Sequence, residues 1–188
     1  MEPYRTAEAR WFRRGAVPAD VRAWFDGLGP APEPESRTDL YLAPDSAALG
    51  VKVREGQLEA KRRDGAGGVR GLGRSRAAVE DWAKWSFSLV VAPQPEEDES
   101  GWVAVGKTRW QRHADGCALE LSKVTVADVP WWSVCLEASG PDHQARHDAL
   151  ARAAERWLGA DDAPALAAAD AQGYAAWLLR RAEDGLTR

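Results

Sequence analysis

Cysteine is scarce. The chain of 188 residues has two, Cys117 and Cys135. That is too few for a disulfide framework, and neither lies in a C-x-x-C or Cys/His spacing that would hold zinc. Long apolar runs are missing. No stretch approaches the roughly 18 residues that cross a bilayer, and the opening MEPYRTAEARWFRRG lacks the apolar core of a secretory signal. A protein without a membrane span, located in the cytoplasm, is the expectation. A large excess of one charge is missing too. The 25 Lys and Arg are offset by 29 Asp and Glu, giving a net charge of -4 and a pI near 5.5. Nucleic-acid binding driven by overall charge is therefore disfavoured.

What is present is an ordinary globular balance, 45% hydrophobic and 29% charged, which argues against wholesale disorder. The length suits one domain over residues 1–188. Its ten Trp stand against three Tyr and three Phe. Each Trp is large with one N–H donor, so ten of them require a sizeable core, a cavity or a binding face.

Hydrophobic periodicity orders the elements. Residues 4–14 read as a strand. Val17, Val21, Trp24 and Leu28 recur at helical spacing behind Pro18, and Gly29-Pro30 ends that helix. Alternation then predicts strands over 37–43, 50–55, 57–63, 80–91, 102–112, 117–126 and 131–139. Residues 64–76, DGAGGVRGLGRSR, read as a mobile Gly/Arg loop, either solvated or closing over an anion. Residues 93–100, PQPEEDES, read as an acidic loop. The Ala-rich tail changes period and predicts helices over 142–159 and 164–184. The fold class is α+β: a strand-rich core over 4–139 with an antiparallel sheet, one N-terminal helix and C-terminal helices.

The strands carry charge on one face. Lys52 and Arg54, then Glu59, Lys61 and Arg63, then Lys107 and Arg109, and Glu120, all fall at alternate positions. A sheet with one wet face explains this most simply. A closed barrel explains it as well, with the charges inside a basic lumen suited to phosphate oxygens. Asp39 and Tyr41 read as packing residues. Residues 101–108, GWVAVGKT, fit the P-loop pattern, but WVAV is β-prone and no helix follows, so Lys107 reads as a strand residue. His143 and His147 lie four apart on a predicted helix, which permits a shared metal, yet no third ligand stands out in sequence.

The run RTDLYLAPDSAALGVKVREGQLEAKRR, then VGKTRWQR, CALELSKV and WWSVCLEA, resembles the CYTH family, or triphosphate tunnel metalloenzymes. The resemblance covers roughly residues 6–139. It implies a closed or nearly closed antiparallel barrel of about eight strands that binds a triphosphate with magnesium or manganese. Lys52 and Arg54 then match the family's R-x-R strand, Lys61 its next Lys, Lys107 and Arg109 its K-x-R strand, and Glu120 its later acid. The opening E-x-E-x-K strand is represented by Glu8, with Arg10 and Phe12 at the other two positions. The closing E-x-E strand has Cys135 before Glu137.

The resemblance thus implies phosphate binding by Arg10, Lys52, Arg54, Lys61, Arg63, Lys107 and Arg109, and metal binding by Glu8, Glu120 and Glu137. The expected partner is a small anionic ligand. Three functions follow: metal-dependent triphosphate hydrolysis, a barrel of this kind that binds its ligand without catalysis, and, outside the family, a START-like helix-grip domain enclosing an apolar ligand.

Overall fold

The computed structural model describes residues 2–30, 32–88 and 101–183. Their order is β1 (Tyr4–Arg14), α1 (Ala19–Gly27), β2 (Glu35–Leu42), β3 (Leu49–Arg54), β4 (Gln57–Leu72), β5 (Ser75–Ser88), β6 (Trp102–Ala114), β7 (Cys117–Val126), β8 (Val129–Ser139), α2 (His143–Leu158), a short 3-10 turn over Ala168–Asp170, and α3 (Tyr174–Glu183). The strands close into a barrel in the order β1-β5-β4-β3-β2-β6-β7-β8, every pair antiparallel, with β8 returning to β1. The α+β class and the eight-stranded closure agree with the sequence reading. The acidic stretch 93–100 lies outside the described residues.

Closure turns the period of two into an inside and an outside. On β1, Ala7, Ala9 and Trp11 face outward and are buried under helices, while Glu8, Arg10 and Phe12 face the lumen. α2 packs across β8, β1 and β7 through Ala149, Leu150, Ala153, Ala154, Trp157 and Leu158. Asp142 caps it by accepting from Ala145 N at 2.8 Å. α1 adds Trp24, whose indole donates to Trp157 O at 3.0 Å.

Two segments differ from the sequence reading. The Gly/Arg run 64–76 is strand: β4 and β5 continue through it as one long hairpin. Glycine lowers strand propensity, but register shifts after Arg63 and Ala66 absorb the irregularity, and Leu72, Ala77 and Val79 are buried in the outer core. Tertiary bonds hold the tip, with Arg74 N donating to Leu158 O at 2.7 Å and Arg76 N to Leu166 O at 2.9 Å. The last helix also begins ten residues later than expected. Residues 159–173 are irregular, with the 3-10 turn among them, and part of their backbone is used by the barrel: Ala171 bridges to Trp11, and Gln172 N donates to Arg10 O at 2.8 Å.

α3 then enters one end of the lumen. Trp177, fully buried, stacks on Phe12 at 4.4 Å, and Tyr174 stacks on Tyr41 at 5.3 Å. With Val105, Val124, Val126, Trp131 and Leu178 they make an apolar plug separate from the outer core.

Gly73 is the residue that lets the hairpin tip reach α2. Its φ is +59°, and an added Cβ would lie 2.3 Å from the Leu158 carbonyl. Gly73→Ala is expected to lower unfolding stability by about 1–3 kcal/mol, read from a shift of the urea midpoint. An unchanged midpoint would show that the tip docks loosely.

Candidate functional site

Beyond the aromatic plug the lumen is charged. A cavity of about 140 Å³ is lined by Arg10, Arg37, Lys52, Arg54, Lys61, Lys84, Lys107 and Arg109, by Glu8, Glu59, Glu120 and Glu137, and by Trp82, Tyr41, Tyr174, Gly50 and Ala175. Eight cations therefore face four carboxylates. Strand register places them: Arg10 stands opposite Cys135, Glu120 is paired with Cys135 from the other side, and Lys61 lies opposite Lys84.

Glu8, Glu59 and Glu120 are engaged by these cations, while Glu137 is met by Lys61 at 3.6 Å and is one-third exposed. Arg10 Nε donates to Glu8 Oε1 at 3.1 Å, and its Nη1 donates to Glu120 Oε1 at 2.8 Å. Lys61 Nζ reaches Glu8 Oε2 at 2.5 Å and Glu137 at 3.6 Å. Lys107 Nζ is 2.9 Å from Glu120 Oε1, which also accepts from Ser122 Oγ at 2.9 Å. Glu120 Oε2 accepts from Gln111 at 3.2 Å and from Arg109 at 3.4 Å. A second group centres on Asp39, only 1% exposed, which accepts from Arg37 Nε at 2.9 Å and Lys52 Nζ at 3.1 Å. Glu59 binds Lys52 at 3.2 Å and Arg54 at 3.0 Å.

These contacts set the protonation states. Burial pushes the Glu8 carboxyl up, but the charges of Lys61 and Arg10 outweigh it and hold the pKa at about 2. Burial likewise opposes ionisation of Glu120, and Lys107 with Arg10 overcome it, leaving it well below the usual carboxylate range. Lys52 and Lys107 are pulled below the ordinary lysine value by burial, against the attraction of Asp39 for the first and Glu120 for the second. Burial raises the Cys135 thiol well above its usual value, so it stays protonated and is no nucleophile.

Tyr174 covers this cluster from α3. Its ring lies 4.9 Å from the Arg10 guanidinium carbon and 5.1 Å from Lys107 Nζ, within cation–π range. Its hydroxyl is buried and has no hydrogen-bond partner among the described residues. An orphaned hydroxyl costs about 1–3 kcal/mol, so a polar ligand in the adjoining cavity would satisfy it.

Of the residues singled out in sequence, Arg10, Lys52, Arg54, Lys61, Lys107, Arg109, Glu8, Glu120 and Glu137 all line this one cavity. Arg63 does not; it turns away to Glu80 at 2.6 Å. Arg37, Lys84 and Tyr174 line the cavity without having been singled out as binding residues. Arg37 was legible, since it shares the alternation of Asp39 and Tyr41. Tyr174 was not, because only tertiary packing brings α3 into the barrel. Asp39 packs as expected, and it also orients two of the cations. The P-loop look-alike is the strand β6, as its composition indicated.

The donor set does not fit a divalent ion in the tunnel. Such an ion needs several free carboxylate oxygens; those of Glu8 and Glu120 accept from cationic or polar donors, which leaves only Glu137, with Lys61 at 3.6 Å, of the three expected ligands. Among the described residues, the His/Cys/Asp/Glu group able to share an ion lies outside the lumen: Asp81 of β5 with His143 and His147 of α2, their ligand atoms within 4.8 Å of one another. Sequence left this pair of histidines without a third ligand, and strand β5 supplies it. In the structure these residues also join α2 to the barrel, with His147 Nε2 3.0 Å from Asp81 and Arg70 3.2 Å from His147 Nδ1.

No protein-family model and no curated protein matches the chain. Among solved structures, a conserved hypothetical protein from Pyrococcus furiosus is similar at a TM-score of 0.52 and 14% identity, over 89% of this chain and 94% of that one. The likeness is one of fold. The S. pombe Pct1 RNA triphosphatase, alone and in complex with the Spt5 CTD, overlays at a TM-score of 0.37 in both cases. Identity is 13% and 12%, over 98% and 97% of this chain and 82% of the other. At that score the overlay establishes no common fold.

Two outcomes are expected from the Arg10 network. Glu8 and Glu120 are ionised more easily folded than unfolded, so the stability they add is full above about pH 4.5 and is lost as pH falls towards about 2. Tryptophan fluorescence should report acid unfolding in that window. Arg10→Ala leaves two buried carboxylates short of a partner. It should cost about 3–5 kcal/mol and move acid unfolding to higher pH. A variant as acid-resistant as the wild type would show that Arg10 does not hold these carboxylates.

Proposed function

We propose that the tunnel binds a phosphate-rich small anion, a triphosphate or a similar short polyanion. The observation that carries this reading is the convergence of eight Lys and Arg side chains on one small cavity inside a mildly acidic protein. The four lining carboxylates, with Asp39 and Glu35 paired to Arg37, Lys52 and Arg109, make six against eight and only partly neutralise them. Burial disfavours the charged forms of Lys52 and Lys107, and a bound polyanion would offset that cost. Arginine forks and lysine point charges match phosphate oxygens, and the Tyr174 hydroxyl adds a neutral donor.

The helix-grip alternative is set aside. Its sheet would wrap a long helix around an apolar cavity, whereas this sheet closes on itself and its cavity is lined by charge. The cavity of about 140 Å³ is also smaller than the roughly 300–1,000 Å³ of drug-sized sites. Between binding with hydrolysis and binding alone, the engaged state of Glu8 and Glu120 favours binding alone, because neither carboxylate is free to orient water or an ion.

Thermal unfolding with sodium tripolyphosphate tests the reading. A hundredfold excess over Kd should raise Tm by about 5–10 °C, and the rise should shrink with added salt. Lys61→Ala and Lys107→Ala should each lose most of it. Tyr174→Phe should leave the ligand-free Tm unchanged or slightly higher while reducing the ligand-induced rise. No shift at millimolar tripolyphosphate would overturn the reading. Release of inorganic phosphate above background would instead establish hydrolysis.

A further inference from the structure

The lumen has a cation of its own where a metal-dependent site would need a free acidic corner. Arg10 lies between Glu8 and Glu120, 3.1 Å from one and 2.8 Å from the other, and is 7% exposed. Lys61 occupies the second oxygen of Glu8, and Lys107 crowds the oxygen of Glu120 that Arg10 uses. Counted together, these five groups carry two negative and three positive charges. A divalent ion entering here would displace donors and meet net repulsion. An anion would meet net attraction. Arginine does not release its proton to make room for a metal, and the guanidinium is pinned further by the Tyr174 ring at 4.9 Å.

We propose that Arg10 is a permanent internal cation, and that the tunnel therefore takes the free polyanion in preference to its magnesium complex. The proposal rests on the tunnel's being an anion site. It makes Arg10 the residue that decides which form of the ligand is accepted. Magnesium bridges phosphate oxygens. A chelated chain offers fewer free oxygens to Arg10, Lys61 and Lys107, and brings positive charge into an already cationic cavity.

Calorimetric titration of the full chain with sodium tripolyphosphate tests this, once with chelator and once with excess magnesium. Magnesium suits the purpose because it prefers oxygen ligands to the two imidazoles outside the barrel. The expected result is tight binding with chelator and at least tenfold weaker apparent binding with magnesium. Equal or tighter binding with magnesium would overturn the proposal while leaving the anion site intact. Binding in neither condition would overturn both. A second measurement uses Arg10→Gln and Arg10→Lys. With the cation gone, Arg10→Gln should acquire a magnesium-dependent rise in Tm of several degrees, whereas the wild type and Arg10→Lys should show none. A similar rise in the wild type would count against the proposal. Should Arg10→Gln fail to fold without metal, recovery of its fold on adding magnesium supports the proposal, and failure to recover counts against it.

Discussion

The buried guanidinium of Arg10 is the contact on which the interior depends. Glu8, Glu120, Lys61 and Lys107 come from four strands, and none could be buried here unpaired without a large desolvation cost. Arg10 links the two acids, and the acids in turn hold the two lysines. The chain is β1, β7, β4 and β6, so one side chain connects distant parts of the barrel wall. Such a network is high-stakes: satisfied throughout, it specifies a single arrangement, and broken at one member it leaves charge stranded.

The barrel solves two problems with one alternation. Outward residues of β1, β7 and β8 supply an apolar surface for α1 and α2, which is where Trp11, Trp24, Trp132 and Trp157 are used. Inward residues supply the charge. Trp82, Trp131 and Trp177 are the exceptions that face inward, the first lining the cavity and the other two in the plug. An acidic surface and a basic interior coexist because the wall separates them.

Much of this was legible. Lys52 and Arg54, or Lys107 and Arg109, declare a shared face through spacing alone, while closure was one of two readings of that pattern and came from the family resemblance. What could not be read depends on contacts far apart in sequence. Arg10 and Glu120 are 110 residues apart, and nothing local shows that they meet. The glycines of 64–76 pointed to a loop because their local preference is real; the bonds from Arg74 to Leu158 at the end of α2 and from Arg76 to Leu166 beyond it override it. Ala-rich composition after residue 159 suited a helix, yet that backbone bonds to Trp11 and Arg10 instead. Asp81 joined His143 and His147 only once α2 lay across the hairpin.

The aromatic plug of α3 has a geometric consequence. With Trp177 and Tyr174 seated against Phe12 and Tyr41, the lumen is a blind recess rather than a passage. Whatever enters must leave by the way it came. Were the ligand the proposed polyanion, a long chain could not be threaded through, and its terminus would be the part to reach Arg10. On the proposed reading, this architecture favours chain ends and short molecules before any side chain discriminates among them.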